Sequence, residues 1–158
     1  MESNSKCLLI IRLRGEVNVS EDVRSTLGFL HLTRVNHATL IDDRPSYLGM
    51  LNKAKDIITW GPISKESILD LIKKRGRLTG GRKLDNKTVK EIGYESLEKL
   101  AEDLYNSKCE ILKLPKMKPI FRLTPPKGGL PQKKRSIRDT GALGYREETI
   151  NKLLTRMI

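Results

Sequence analysis

The apolar positions along this chain alternate between two rhythms. Cys7, Leu8, Leu9, Ile10 and Ile11 form an unbroken run that ends in Arg12-Leu13-Arg14-Gly15, and so short a run predicts a buried strand over 6–13. From Ser20 the spacing lengthens. Val23, Leu27 and Leu30 recur at helical intervals, Ser20 offers an N-cap, and Glu21 and Asp22 suit the positive end of a helix. Alternation returns over 36–43, with Ala38, Leu40 and Asp42 against Thr39 and Ile41, and predicts a second strand. Pro45 suits a first helical position, and Tyr47, Met50, Leu51 and Ala54 then form one apolar stripe. The segment 56–61 is short and β-rich, a third strand stopped by Pro62. Strand, helix, strand, helix, strand predicts a compact α/β or α+β unit with helices packed on a small sheet.

Beyond Ile63 the pattern is helical and interrupted. Ser64 can cap a helix that buries Ile68, Leu69, Leu71 and Ile72. The basic, glycine-containing stretch 73–83 reads as a mobile loop between helices, and a short helix is expected from Asn86. A clearer helix covers 95–106, with Leu97, Leu100, Ala101 and Leu104 on one face. Residues 118–126 can add an edge strand bracketed by Pro119 and Pro125. After a proline- and glycine-rich stretch, Ile150, Leu153, Leu154 and Met157 mark a last amphipathic helix that must dock on something.

Charge changes this picture more than composition does. A chain of 158 residues suffices for one domain or a domain with an extension; 37% hydrophobic content permits a core, and 4% aromatic content makes it aliphatic. Lys and Arg outnumber Asp and Glu 31 to 19, a net charge of +12 that attracts polyanions: nucleic acid, an anionic membrane face or an acidic protein. No segment is apolar long enough to span a bilayer and no signal-peptide pattern is present, so a cytosolic protein with reduced Cys7 and Cys109 is expected. The excess sits in two blocks. Lys73, Lys74, Arg75, Arg77, Arg82, Lys83, Lys87 and Lys90 face only Asp85; Lys113, Lys116, Lys118, Arg122, Lys127, Lys133, Lys134, Arg135 and Arg138 face no acid. A solubilising surface mixes its signs, whereas single-sign blocks repel themselves. A polyphosphate partner resolves the conflict through counterion release, and the N–H groups of Gly128 and Gly129 are free to approach phosphates. Membrane binding would want a basic amphipathic helix, and the most basic stretch here is a Pro/Gly loop. With no zinc-finger, zipper or aromatic-rich strand signature, the contacts expected are to the backbone and shape of structured RNA, by loops that order as they bind.

Other candidate chemistry is weaker. Gly76 to Lys83 has the glycine spacing of a phosphate loop, which would make a nucleotide-hydrolysing or RNA-processing enzyme the alternative reading; but Arg82 stands where Lys is required, Lys83 where a hydroxyl should be, and a helix precedes it instead of a strand. Cys7, Cys109, His31 and His37 lack the paired spacing of a zinc site. Asp42 and Asp43 have no nucleophile or metal beside them and read as caps for the helix at Pro45. Trp60 reads as a core residue before a stacking platform.

The stretches Ile11–Gly15, Ser20–Asp42 and Pro45–Ile63 resemble ribosomal protein L-thirty of the large subunit in its archaeal type, and Lys118–Gly129 and Gly141–Met157 resemble the archaeal C-terminal extension. The resemblance implies an α+β fold: a ferredoxin-like β-α-β-α-β core with a three-stranded antiparallel sheet over 1–63, and an extension over 64–158 with helices, basic loops and an edge strand packed on the core. It implies a structural constituent of the cytoplasmic ribosome with no catalytic residue, metal, cofactor or small-molecule substrate. The implied partners are large-subunit rRNA, with five-S rRNA as a candidate neighbour, and adjoining large-subunit proteins. The RNA-facing residues it implies are Arg12, Arg14, Arg34, Asn36, His37, Tyr47, Asn52, Lys53 and Lys55, with Lys127, Lys133, Lys134, Arg135 and Arg138 from the extension. Arg75, Arg77, Arg82 and Lys83 join them on charge alone.

Overall fold

The computed structural model of the chain describes residues 5–132 and 134–158. Strand β1 (Cys7–Arg12) has no exposed position, so both of its faces must be covered. It lies between β2 (His37–Asp42) and β3 (Ile58–Pro62), antiparallel to each. Leu8 and Ile10 join Ile41, Ile58 and Trp60 on one face, beneath Leu27 of α1 (Glu21–Phe29) and Leu51 of α2 (Pro45–Lys53). Cys7, Leu9 and Ile11 join Ala38 and Leu40 on the other. That second face is covered by α3 (Lys65–Arg75), α4 (Leu97–Tyr105) and α5 (Ile150–Met157), through Leu71, Leu100 and Leu154. Residues from 1–63 and 64–158 therefore share one core, and the molecule has three layers with the sheet in the middle.

The β-α-β-α-β core and its three antiparallel strands are those expected. Two-residue strands, β4 (Phe121–Arg122) and β5 (Gly144–Tyr145), widen the sheet to five in the order β4-β2-β1-β3-β5. β4 is the expected edge strand, shortened by its flanking prolines. β5 carries no sequence signal because two residues have no period; it pairs parallel with β3, Thr59 opposite Gly144 and Trp60 opposite Tyr145. Gly61 makes this edge possible, since a Cβ there would run into the carbonyl of Glu147 and meet the Ile150 side chain at 3.0 Å.

Several local expectations are corrected. The stretch 73–83 is not a free linker: Lys73–Arg75 complete α3, Arg77 and Lys83 form an antiparallel bridge, and Leu78 is buried and bridges Met117. The helix expected from Asn86 is a 3-10 turn at Val89–Ile92, and the Asn86 side chain accepts the N–H of Leu97 (3.3 Å). Ser20 makes no capping bond, whereas Ser64 and Ser96 do, to the N–H groups of Ser67 and Lys99. Asp42 does not cap α2: Arg44 holds that position, and its N–H donates to Asp42 Oδ1 at 3.3 Å.

Candidate nucleic-acid interface

The strand directions gather the cations. β1 runs toward Arg12 and Arg14; β2 begins opposite that end, at His37, preceded by Arg34 and Asn36; β3 begins there too, preceded by Lys55 and Asp56. β4 is antiparallel to β2 and ends beside it, Arg122 opposite His37. β5 is parallel to β3 and is entered from the same end, through Lys134–Leu143. The connection from β4 to β5 thus leaves one edge of the sheet and reaches the other at a single end, crossing four strand spacings, about 19 Å. It carries Lys127, Lys134, Arg135 and Arg138, all exposed; Lys133 lies outside the described residues.

This connection is bonded down on both sides of its most basic stretch. Thr124 donates its N–H and hydroxyl to Met157 O (3.0 and 2.8 Å), Lys127 N–H donates to Arg156 O (3.1 Å), and Arg156 Nε returns a bond to Lys127 O (2.8 Å). The turn therefore satisfies the last carbonyls of α5. Gly129 N–H is taken by Pro126 O (3.1 Å), so its role is in the turn and not at a phosphate. Farther on, Arg135 O accepts from Ala142 and Leu143 (3.0 and 3.1 Å) and Ile137 N–H donates to Leu143 O (2.7 Å). The backbone of 124–129 and of 135–143 is thus hydrogen-bonded, and the cationic side chains of Lys127, Lys134, Arg135 and Arg138 are left exposed.

Beside β4 lies a cleft of about 280 Å³ lined by Arg75, Arg77, Gly81, Lys118, Ile120 and Arg122. Four cations and no acid line it, and they come from both basic blocks. Lys118 and Arg122 were not singled out as site residues in the sequence; the local charge was visible, but the pairing of β4 with β2 brings them to Arg75 and Arg77. Arg82 and Lys83 stand outside this cleft, Arg82 bound to Glu91 through two bonds (3.0 and 2.9 Å) and Lys83 4.0 Å from Asp85.

Two of the residues expected to face RNA lie within the fold. Arg12 is 1% exposed; Nε donates to Arg14 O (2.9 Å) and a terminal nitrogen to Leu32 O (2.7 Å), with Glu16 at 3.8 Å, so it serves the protein and is corrected as an RNA-facing residue. Burial lowers its pKa and Glu16 opposes that. His37 is 8% exposed, and among the described residues its Nδ1 has no hydrogen-bond partner. Burial first, and then Arg122, Arg34 and Arg12, hold its pKa below the ordinary value. Asn36 acts through its backbone, donating to Arg12 O (2.7 Å) and accepting from Leu123 (3.0 Å). Arg34 is exposed, and Arg14 reaches Asp56 O at 3.1 Å.

Tyr47 stands apart, at the start of α2 near Asp42 and away from the cationic end. Arg44 lies 5.2 Å above its ring, and bonds to Asp42 and Glu110 hold that guanidinium above its ordinary pKa. Asn52, Lys53 and Lys55 are exposed where α2 returns toward the start of β3. Asn52 and Lys55 line a second groove of about 650 Å³ with Trp60, Arg138, Tyr145 and Arg146. Trp60 is buried, as expected, and its ring centroid lies 6.3 Å from that of Tyr145.

The glycines at 76 and 81 do not cradle phosphate. Gly76 N–H donates to Ile72 O and Gly81 N–H to Leu78 O, both at 2.9 Å, so both donors are spent inside the fold. Cys7 and Cys109 are free thiols; burial, with smaller contributions from Cys109 and Asp42, pushes the Cys7 thiol up to about 12. Among the described residues no three His, Cys, Asp or Glu side chains converge as metal ligands, and no helix is long and apolar enough to cross a membrane.

Residues 8–58 match the family model of ribosomal protein L30p/L7e. Over 150 residues the chain is 45% identical to the large ribosomal subunit protein uL30 of Methanosphaera stadtmanae, an alignment that covers 94% of this chain and 98% of the relative. It is 46% identical over 149 residues to the protein of that name from Methanopyrus kandleri, covering 92% of this chain and 100% of the relative. The corresponding Archaeoglobus fulgidus protein is 42% identical over 149 residues, with 94% and 97% covered.

Proposed function

The chain belongs to the ribosomal protein L30p/L7e family, and from that premise we propose that it is a structural constituent of the large ribosomal subunit that holds rRNA against the cationic end of its sheet. The observation that carries the interface is the convergence of cations on one end: Arg14, Arg34, Lys55 and Arg122 at strand ends, and Lys134, Arg135 and Arg138 on the connection across it. Such a surface binds phosphodiester charge and releases its counterions. The protein works without catalysis. A phosphate-loop enzyme has no support, because the N–H groups of Gly76 and Gly81, the two glycines at the motif's spacing, are consumed internally. In this reading the protein resides in the cytoplasmic ribosome among neighbouring large-subunit proteins; proximity to five-S rRNA rests on the family resemblance.

The test is the salt dependence of binding between the full chain and large-subunit rRNA. Neutralising roughly 6–10 phosphates would weaken binding about 10³- to 10⁵-fold between 50 and 200 mM salt. Charge reversal at Arg75, Arg77 and Arg122 should flatten that slope and leave the fold intact. An affinity indifferent to salt would remove the interface proposed here.

A further inference from the structure

We propose that the groove between α2 and β5 receives one unstacked RNA nucleotide, its base laid on Tyr145 and its phosphate against Lys55 and Arg138. The proposal rests on the RNA-binding reading and adds to it a subsite of different chemistry. The cleft at Arg75, Arg77, Lys118 and Arg122 has only cations among its charged walls and suits backbone phosphate. The groove at Tyr145 is larger and mixed. Lys55 and Arg138 share its walls with Asp56 and Glu147, Asn52 adds an amide, and Trp60 and Tyr145 supply aromatic surface. Carboxylates repel a bare phosphate but accept hydrogen bonds from the amino and imino edges of a base. A volume of about 650 Å³ lies within the size range of ligand pockets, roughly 300–1,000 Å³.

Tyr145 is built to be a platform. The residue is 48% exposed, although its backbone sits in a sheet opposite buried Trp60. A single exposed aromatic needs no explanation by itself. This one is held from both sides in sequence: Gly144 O accepts the Thr59 hydroxyl at 2.8 Å, and Arg146 donates to Thr59 Oγ1 and Ala142 O, each at 2.8 Å. The ring is thus offered from a fixed backbone, which limits the entropy lost when a base stacks on it. Unstacked bases laid on aromatic side chains are the usual means by which proteins read single-stranded RNA.

Trp60 is the only tryptophan in the chain and reports from within the groove. The full chain is titrated with a six-nucleotide oligoadenylate and, separately, with inorganic phosphate, following tryptophan emission. The hexamer is expected to change the emission and phosphate alone is not. Replacing the ring in Tyr145→Ala should weaken hexamer binding roughly 5- to 160-fold, the range for loss of one stacked base, while Tyr145→Phe should bind like the parent. Arg138→Glu, on an exposed loop, provides a variant independent of the ring and should also weaken binding. Hexamer affinity unchanged in Tyr145→Ala, or equal loss in Tyr145→Phe, overturns the subsite, as does an emission change with phosphate alone as large as the hexamer's. Binding of large-subunit rRNA is measured on the same samples. Retained rRNA binding by the parent with no effect of Tyr145→Ala defeats the groove alone, whereas a parent that binds no rRNA defeats the underlying reading.

Discussion

Arg12 and Arg14 are two positions apart and do opposite work. The strand end and the neighbouring backbone decide it: Arg12 closes β1 on the face covered by α1 and α2 and donates to Leu32 O and Arg14 O, while Arg14 has passed the strand end and is half-buried at the surface. Removing the guanidinium in Arg12→Ala leaves the Leu32 carbonyl buried without its donor. A loss of about 3 kcal/mol is expected in denaturant unfolding, from a charged hydrogen bond of roughly 1.5–3 kcal/mol and the carbonyl left unpaired. Arg14→Ala should instead weaken RNA binding with little loss of stability. His37 makes a prediction in pH. Its folded pKa is lowered, by burial first and then by Arg122, Arg34 and Arg12, from an ordinary value of 6.5. Between that lowered value and 6.5 the unfolded chain binds the extra proton, so stability rises with pH across this window and falls on acidification. Above it both states are neutral and the contribution is flat. Thermal unfolding measured from pH 4 to 8 should lose part of its slope just below pH 6.5 in His37→Gln; an unchanged slope would mean that His37 is not held neutral by its surroundings.

At the scale of elements, the helices and β2 are legible because their apolar residues carry a period, β1 and β3 because their apolar runs are short, and the placement of cations is not. The final helix is the clearest case. Ile150, Leu153, Leu154 and Met157 marked a face that must dock, and all four are buried against the second face of the sheet and its helices. Leu154→Ala should therefore cost about 2–5 kcal/mol in denaturant unfolding, as a buried leucine without room to collapse does. A surface-like change under 0.5 kcal/mol would show that α5 is not anchored. The stretch 73–83 resembles a free loop in sequence because Leu78 is a single apolar residue among cations, and one residue has no period; its burial depends on the bridge to Met117, far away in sequence. β5 escaped for the same reason. The consequence reached the site: in the sequence the two basic blocks look like separate loops, whereas Arg75 and Arg77 share a cleft with Lys118 and Arg122, and the pairings of β4 and β5 carry the second block across one end of the sheet. Gly61 is the small feature that holds the β5 edge. Gly61→Ala should disturb the packing of Glu147 and Ile150, and with it the Trp60–Tyr145 arrangement, detectable as altered tryptophan emission without RNA.

For the molecule as a whole, one surface should respond to salt in two opposite senses. The net charge of +12 is concentrated in part at the cleft of Arg75, Arg77, Lys118 and Arg122, where no acid balances it. Alone in solution these cations repel one another, each pair at about 10 Å contributing about 0.4 kcal/mol in water before screening. Raising salt from 10 to 150 mM shortens the screening length from about 30 to about 8 Å and removes most of that repulsion. The free protein should therefore gain stability with salt, on the order of 1 kcal/mol, or about 2–4 °C in melting temperature for a chain of this size. Its RNA complex should weaken over the same interval, because the counterions released on binding are then returned against a higher concentration. Charge reversal at Lys118 and Arg122 ought to reduce both responses together, since the same side chains cause both. Measuring the melting temperature of the free chain and its rRNA affinity across one salt series, for parent and variant, checks the link. If the free protein melts lower as salt rises, self-repulsion is not what this surface contributes in the absence of RNA. If the variant loses one response and keeps the other, the cations that destabilise the free chain are not those that hold the phosphates.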